Sequence, residues 1–235
     1  MKIKLVLSML VVALVSTMTV HADSHSEPDV ELPEGFEVSS EATFTSNYIF
    51  RGQSSSADRP AVQQDIVVDH ESGLFAGLFG SSFNSSTADL AAQYSVGYKS
   101  SLDDLFEYEV AIVYYDVLGS GTEEAIFNGD AEAEVTIGYE LNELGSVDAH
   151  VAYGLGDDGA LYYAVNYNST FDATVKLGSL EDVGLHVDVN YDVLNISGYN
   201  LGAQLSVLMP EDDYKTANSL EDSELSYNIS LSKAF

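Results

Sequence analysis

From about Val38 to the C-terminus the chain repeats one pattern: eight to twelve residues in which apolar and polar side chains alternate, then a short cluster of Gly, Ser, Asn or Asp. A period of two is that of a half-buried β-strand, whose successive side chains point to opposite faces. The apolar faces read Val38, Ala42, Phe44, Tyr48 and Phe50; Val62, Ile66 and Val68; Phe75, Phe79 and Phe83. They continue as Leu90 to Tyr98, Phe106 to Tyr114, Ala131 to Leu141, Val147 to Leu155, Leu161 to Tyr167, Phe171 to Leu177, Leu185 to Val193 and Leu201 to Val207. The last segment, "ELSYNISLSKAF", carries Leu225, Tyr227, Ile229 and Leu231 and ends on Phe235. The pattern predicts about twelve strands and no stretch of helical period, so the expected class is all-β and antiparallel.

Two architectures fit the alternation: a soluble sandwich or barrel with its apolar face inside, or a membrane barrel with that face outside. Between the apolar positions stand carboxylates, amides, hydroxyls and glycines, which both would show. Aromatics gather near segment ends (Tyr48 with Phe50, Tyr98, Phe106, Tyr114, Tyr139, Tyr153, Tyr191, Phe235), as in the girdles of outer-membrane barrels. Connections also alternate. Short turns fall near 71–73, 100–105, 142–146, 168–170 and 195–198, and the opposite set includes the longer 51–60, 119–130 and 210–223, with 156–159 short. Short turns at one end and mostly long loops at the other favour a transmembrane antiparallel up-and-down β-barrel of about twelve strands.

The ends of the chain agree. Lys2 and Lys4, an apolar run over about Leu5 to Val15, and Val20-His21-Ala22 have the order of a secretory signal peptide over 1–22, cut before Asp23. The run is shorter than the ~20 apolar residues a spanning helix needs, which disfavours an N-terminal anchor. Residues 23–36 are acidic, with Pro28 and Pro33, and read as a flexible lead-in to a barrel domain over 37–235. An aromatic closing an alternating final strand resembles the sorting signal of bacterial outer-membrane proteins, with Tyr227 and Phe235 as its aromatic positions and the barrel-assembly machinery as its reader. Lys233 interrupts that face, and a lysine near the interface reaches the headgroups with its ammonium. The expected location is the bacterial outer membrane, in contact with its lipid and lipopolysaccharide.

Charge narrows the function. Lys and Arg number 8 against 38 Asp and Glu, a formal net charge of −30, and two of the bases, Lys2 and Lys4, lie in the leader. Such a surface repels nucleic acid. In a membrane barrel the polar positions face the lumen, placing Glu107, Glu109, Glu132, Glu134, Asp148 and Asp188 there with Arg51 and few other bases. A lumen of that sign predicts a pore for small solutes or ions with weak cation preference; the competing account of the acidity is solubility or a salty habitat. Twelve strands lie between barrels filled by side chains and those with a clear channel, so the lumen is expected to be narrow or partly blocked by the acidic N-terminal segment. Arg51 suits an ion-pair network more than a selectivity point.

Two other functions are weighed. Asp148 with His150 and His186 with Asp188 share a face at i, i+2, which a hydrolytic or metal site requires, but no G-x-S-x-G motif accompanies them. A non-conducting binding barrel would act through loops 119–130 and 210–223, where Asp212, Asp213, Glu221 and Asp222 offer oxygens to a cation without the spacing of an EF-hand. Cysteine is absent, so there is no disulfide and no thiolate metal site. No cofactor, metal or catalytic residue is predicted.

Within 46–83, Tyr48, Phe50-Arg51-Gly52, Ser54, Pro60-Ala61, Gln63, Ser72-Gly73-Leu74-Phe75 and Gly77 resemble the signature of the TorF family of proteobacterial porins. Elsewhere the likeness rests on length, the endings Gly97-Tyr98 and Gly138-Tyr139, and the terminal Phe. Family members often carry a Trp near the position of Phe79, and this chain has none. The resemblance implies an outer-membrane pore and supplies no substrate.

Overall fold

The computed structural model describes residues 33–82, 90–118, 130–156 and 159–235. The predicted leader, most of the lead-in, Phe83 and loop 119–129 lie outside them. Twelve strands close into one antiparallel barrel: β1 (Phe36–Thr45), then, after a short inner hairpin of β2 (Ile49–Phe50) and β3 (Gln53–Ser54), β4 (Ala61–His70), β5 (Leu74–Ser82), β6 (Leu90–Ser101), β7 (Phe106–Leu118) and β8 (Ala131–Glu140). The wall continues through β9 (Ser146–Gly154), β10 (Leu161–Asn168), β11 (Ala173–Leu180), β12 (Gly184–Ile196), β13 (Tyr199–Pro210) and β14 (Glu224–Ala234). Each wall strand pairs with its sequence neighbour, and β14 returns to β1 from Glu41 opposite Ala234 to Thr45 opposite Ser230. Closure leaves no row of unpaired backbone along most of the wall, the requirement for strands that meet lipid.

The faces are inverted relative to a soluble protein. Val110, Ile112, Val135, Ile137, Val151, Val165, Leu177, Val189, Leu205 and Ile229 all point outward and are exposed. Buried apolar residues are few and mostly alanines, whereas fully buried side chains include His186, Ser56, Ser81 and Ser206. An apolar exterior of this extent is unfavourable in water at roughly 25 cal/mol per Å² and is stable only against hydrocarbon. Turns 71–73, 102–105, 141–145, 169–172 and 197–198 share the end that carries both terminal strand ends; 46–60, 181–183 and 211–223 share the other, where β5, β7 and β9 also end and β6, β8 and β10 begin. We refer to these as the turn end and the loop end.

Three expectations are corrected. The first strand stops at Thr45, so Tyr48 and Phe50 belong to no outer girdle but to the inner hairpin. In β5 the outward residues are Leu74, Ala76 and Leu78, while Phe75 and Phe79 face the lumen, the reverse of the predicted phase. Aromatics occupy that lumenal face because there is room: a Cβ on Gly97 would come within 2.5 Å of the Phe75 ring, and Phe79 packs on Tyr48 at 5.8 Å between centroids. Finally, β12 carries a bulge between Asp192 and Leu194, after which Leu194 and Ile196 take the outward face in place of the predicted phase. A further difference is that the strand order begins one residue inside the predicted lead-in, at Phe36.

At the turn end, the Lys233 ammonium sits 5.1 Å from the Tyr199 ring and 4.9 Å from that of Phe235, an arrangement that lets a cation end an apolar face. Strand register makes a sharp test of the inverted faces. Val165→Arg, on the outer surface, should lower barrel stability in bilayers by roughly 2–4 kcal/mol, whereas Asn190→Arg on the lumenal face should leave it nearly unchanged; urea unfolding read by heat-modifiable gel mobility distinguishes them. Equal effects from both would mean that the apolar face does not meet lipid.

Candidate functional site

The site is built around the segment between β1 and β4. Local chemistry folds it on itself. The Asn47 amide donates to Asp58 Oδ1 (2.9 Å) and its carbonyl oxygen accepts from Ser54 Oγ (2.8 Å); Tyr48 N–H donates to Ser56 Oγ (2.9 Å), and Ser56 Oγ donates to the carbonyl of Arg59 (2.6 Å). Ile49 pairs with Ser54 and Phe50 with Gln53, leaving Arg51-Gly52 as a two-residue turn with φ of +49° and +80°. These are the angles of a type I′ hairpin turn. Gly52 suits it at no cost, but Arg51 in the left-handed region costs about 1–2 kcal/mol.

What holds Arg51 there lies across the lumen. Its guanidinium makes a two-pronged contact with Glu132 of β8, Nη1 to Oε1 at 2.9 Å and Nη2 to Oε2 at 2.6 Å, with Glu134 Oε1 at 3.8 Å. The Tyr115 hydroxyl of β7 accepts from Nη2 at 3.4 Å and donates to Glu134 at 3.1 Å. The guanidinium also lies 4.2 Å from the Tyr162 ring centroid of β10 and 4.9 Å from that of Phe50. Parallel charge-assisted bonds and stacking on rings are what a planar guanidinium supplies and an ammonium does not. Gly52 meets β12 so closely that any Cβ would fall 2.5 Å from that of His186. From above, Tyr214 of the short helix α1 (Asp212–Asn218) donates to Gln53 at 2.7 Å. The hairpin thus bridges the barrel just inside the loop end. Arg51 reaches the lumen from a turn, not from a strand position as the alternation implied, and the hairpin narrows the lumen; most of the acidic N-terminal segment lies outside the described residues.

Below the hairpin the predicted residues divide. Glu107 and Glu109 of β7 and Asp148 of β9 lie on one arc of the lumen with Glu140 of β8 toward the turn end. Glu132 and Glu134 are engaged by Arg51 and Tyr115, so they are part of the hairpin's seat rather than of an open ring. Asp148 accepts from Asn166, and from Asn168 at 3.1 Å. Asp188 is enclosed by Ser206, which donates to Oδ1, and by His186 Nδ1, 3.0 Å from Oδ2 but poorly aligned for a hydrogen bond. Lys99 pairs with Asp69 at 2.7 Å on the opposite side. Tyr227 and Phe235 are exposed on the outer surface beside the β14–β1 seam, where Phe235 N–H donates to Ser40 O at 2.8 Å.

The paired His and Asp residues are held by partners other than a serine on the histidine. His186 is wholly buried, and the hydroxyl at its Nε2 is that of Tyr162 (3.2 Å), itself roofed by Arg51; Ser206 sits on the far side of the carboxylate. His150 Nδ1 is held by Thr136 at 2.9 Å. In loop 211–223, Lys215 Nζ lies 3.3 Å from Asp212 and 2.9 Å from Asp222, putting an ammonium between carboxylates proposed for a cation. The same bonds raise the Lys215 pKa and lower that of Asp222. Among the described residues no group of three or more His, Asp or Glu side chains converges as a metal site.

A closed antiparallel wall of twelve strands with apolar residues outside, polar residues inside and a segment folded across the lumen defines a porin-like β-barrel. Residues 30–205 match the family described as bacterial protein of unknown function (Gcw_chp), and the chain belongs to that family. Among solved structures the fold is similar to a KdgM porin in complex with disordered oligogalacturonate, at 10% identity and TM-score 0.54 over 84% of this chain and 98% of that one. It is also similar to the NanC porin, at 14% identity and TM-score 0.50 over 84% of this chain and 99% of that one. No curated protein matches the sequence significantly. The signals that were missed, Asn47, Ser54, Ser56 and Asp58, were visible as turn formers in "SNYIFRGQSSSADRP", but an inward direction needs the partners on β8, β10 and β12.

The seat of the hairpin can be tested by protease. Glu132→Ala removes the two-pronged partner of a guanidinium whose side chain is only 9% exposed, a loss of roughly 3–5 kcal/mol for a buried pair, and Gly52→Val sets a side chain against His186. Both should make trypsin cut after Arg51, which the intact protein should resist; Arg59 precedes Pro60 and is a poor site.

Proposed function

We propose that this protein is an outer-membrane porin through which small solutes and ions pass passively, narrowed by the inward hairpin and weakly favouring cations. The observation that carries the reading is the inversion of faces: a closed wall apolar toward lipid encloses a polar interior with cavities of about 370 and 340 Å³. The likeness to porins over nearly their whole length supports it, as does the resemblance of 46–83 to TorF porins. Carboxylates outnumber bases in the lumen, and Arg51, the base closest to the narrowing, is neutralised by Glu132. Glu107 and Glu109 on one arc, with Glu41 and Asp192 on the other, remain to set the field.

Planar bilayers containing the purified full chain should show discrete conductance steps, with a reversal potential in a KCl gradient of the sign for K⁺ preference. Glu107→Gln with Glu109→Gln should move that potential toward zero. Reversal at zero in the unmodified protein would remove the cation preference and keep the pore.

A second reading has one observation in its favour: the hairpin bridges the lumen from β1 to β8 and β12, so a non-conducting barrel acting through its loops would be silent in the same experiment. We further propose that the leader over 1–22 directs export and that Tyr227 and Phe235 are read by the barrel-assembly machinery before the wall meets lipid and lipopolysaccharide. Removing Phe235 should then reduce the heat-modifiable band in outer-membrane fractions several-fold, while a Phe235→Trp chain assembles normally.

A further inference from the structure

The lumen is not uniform in chemistry. Strand register aligns Ser146 of β9, Asn168 of β10, Thr174 of β11, Asn190 of β12, Gln204 of β13 and Asn228 of β14 in one lumenal row. Every member is an uncharged hydrogen-bonding side chain. Because barrel strands tilt and their register is staggered, such a row climbs as it goes round the wall. It starts at the turn end, where β9 begins and β10 ends, and reaches mid-height on β13 and β14. Asn190, Gln204 and Asn228 line a cavity of about 370 Å³ under the hairpin, together with the rings of Tyr48 and Phe79; Ser146 and Asn168 line one of about 340 Å³ at the turn end.

Part of the row is bonded internally and part is left over. Thr174 Oγ1 donates to Asn168 at 3.0 Å, and Asn228 donates to the Gln204 carbonyl oxygen at 2.6 Å. The Gln204 amino group, the Asn228 carbonyl oxygen and both ends of the Asn190 amide have no side-chain partner among the described residues. Each amide offers a donor and an acceptor side by side, which matches a hydroxyl that must do both. Adjacent strands repeat the offer about every 4.8 Å, the scale of one sugar ring. Of the neighbouring carboxylates, Asp148 accepts from Asn166 and Asn168, Asp188 from Ser206, and Asp192 from Asn200 at 2.9 Å, while Glu41 lines the same cavity as Asn190, Gln204 and Asn228.

We propose that this row is a binding ramp for neutral, hydroxyl-rich solutes, short uncharged oligosaccharides above all, with Tyr48 and Phe79 as the aromatic faces against which a sugar ring rests. The inference rests on the porin reading and gives it a substrate class. It separates this barrel from a porin holding oligogalacturonate, because an acidic sugar here would meet a lumen of its own sign.

The test uses the full chain with two readouts. In planar bilayers, maltohexaose should interrupt the current with an affinity of order millimolar, and trigalacturonate at the same concentration should not. A variant carrying Asn190→Leu and Gln204→Leu should bind maltohexaose about tenfold more weakly, the effect of removing a few neutral hydrogen bonds, while Glu71→Gln, in the exposed turn 71–73 away from the row, should bind as the parent does. Titration calorimetry on detergent-solubilised protein repeats the comparison without current. Conductance without sugar interruption, blocking that the double variant leaves unchanged, or stronger blocking by trigalacturonate would each overturn the ramp and leave the porin reading standing. No conductance with calorimetric binding that the double variant loses would overturn the porin reading and keep the ramp as a binding site. No conductance and no binding would overturn both.

Discussion

Everything in this molecule depends on the pairing of β14 with β1. A strand facing hydrocarbon has no water to satisfy its backbone, so an open edge would leave a row of donors and acceptors at several kcal/mol each. The seam that prevents this is short, five residue pairs from Glu41–Ala234 to Thr45–Ser230, continued by Ser46 N–H to Ile229 O and Phe235 N–H to Ser40 O. Phe235 is therefore part of the closure, and the hairpin departs from the wall where the seam ends.

Closure sets the chemistry of both surfaces. Once the apolar set faces lipid, the alternate set has nowhere to go but inward, and an acidic, amide-rich chain yields a wet lumen instead of a packed core. Buried polar groups in such an interior must satisfy one another. They do so locally, in Asp188 with Ser206, Asn168 with Thr174 and Asn228 with Gln204. The stagger of the strands then groups them unevenly: Glu107, Glu109 and Asp148 share an arc on β7 to β9, while an uncharged row of amides and hydroxyls runs from β9 to β14 beside Asp188 and Asp192.

The hairpin gives that lumen a direction. Its shape is local, held by Asn47, Ser54, Ser56 and Asp58, but its position is set by one charged contact spanning the barrel. Arg51 exchanges an unfavourable backbone angle for a two-pronged bond to Glu132 and a stack on Tyr162. Because both carboxylates near it are consumed, the narrow point carries less free charge than the composition suggests, and the field of the lumen comes from residues nearer the turn end.

Much of this was legible in the alternation alone: the number of strands, the short turns of one end, the outward face from Val135 to Tyr139 or Leu225 to Leu231, and the inward direction of Glu107, Glu109, Asp148 and Asp188. A period of two with turn residues between is local information, and antiparallel neighbours follow from it. It failed where the pattern was apolar on both faces or broken by a loop. Phe75 and Phe79 were given the wrong side because β5 offers apolar residues to both, and only the glycine opposite on β6 and the Tyr48 ring make the lumen their place. Tyr48 and Phe50 continue the alternation of β1, yet the chain leaves the wall after Thr45 and reverses at the positive-φ turn Arg51-Gly52, so that both belong to the inner hairpin. The sequence by itself determined a barrel with a polar interior, because each strand declares its two faces. Which lumenal groups come together, Arg51 with Glu132 across it and Asn190 beside Gln204 and Asn228 along its wall, was decided only by the tertiary structure, because register and stagger join residues far apart in the chain.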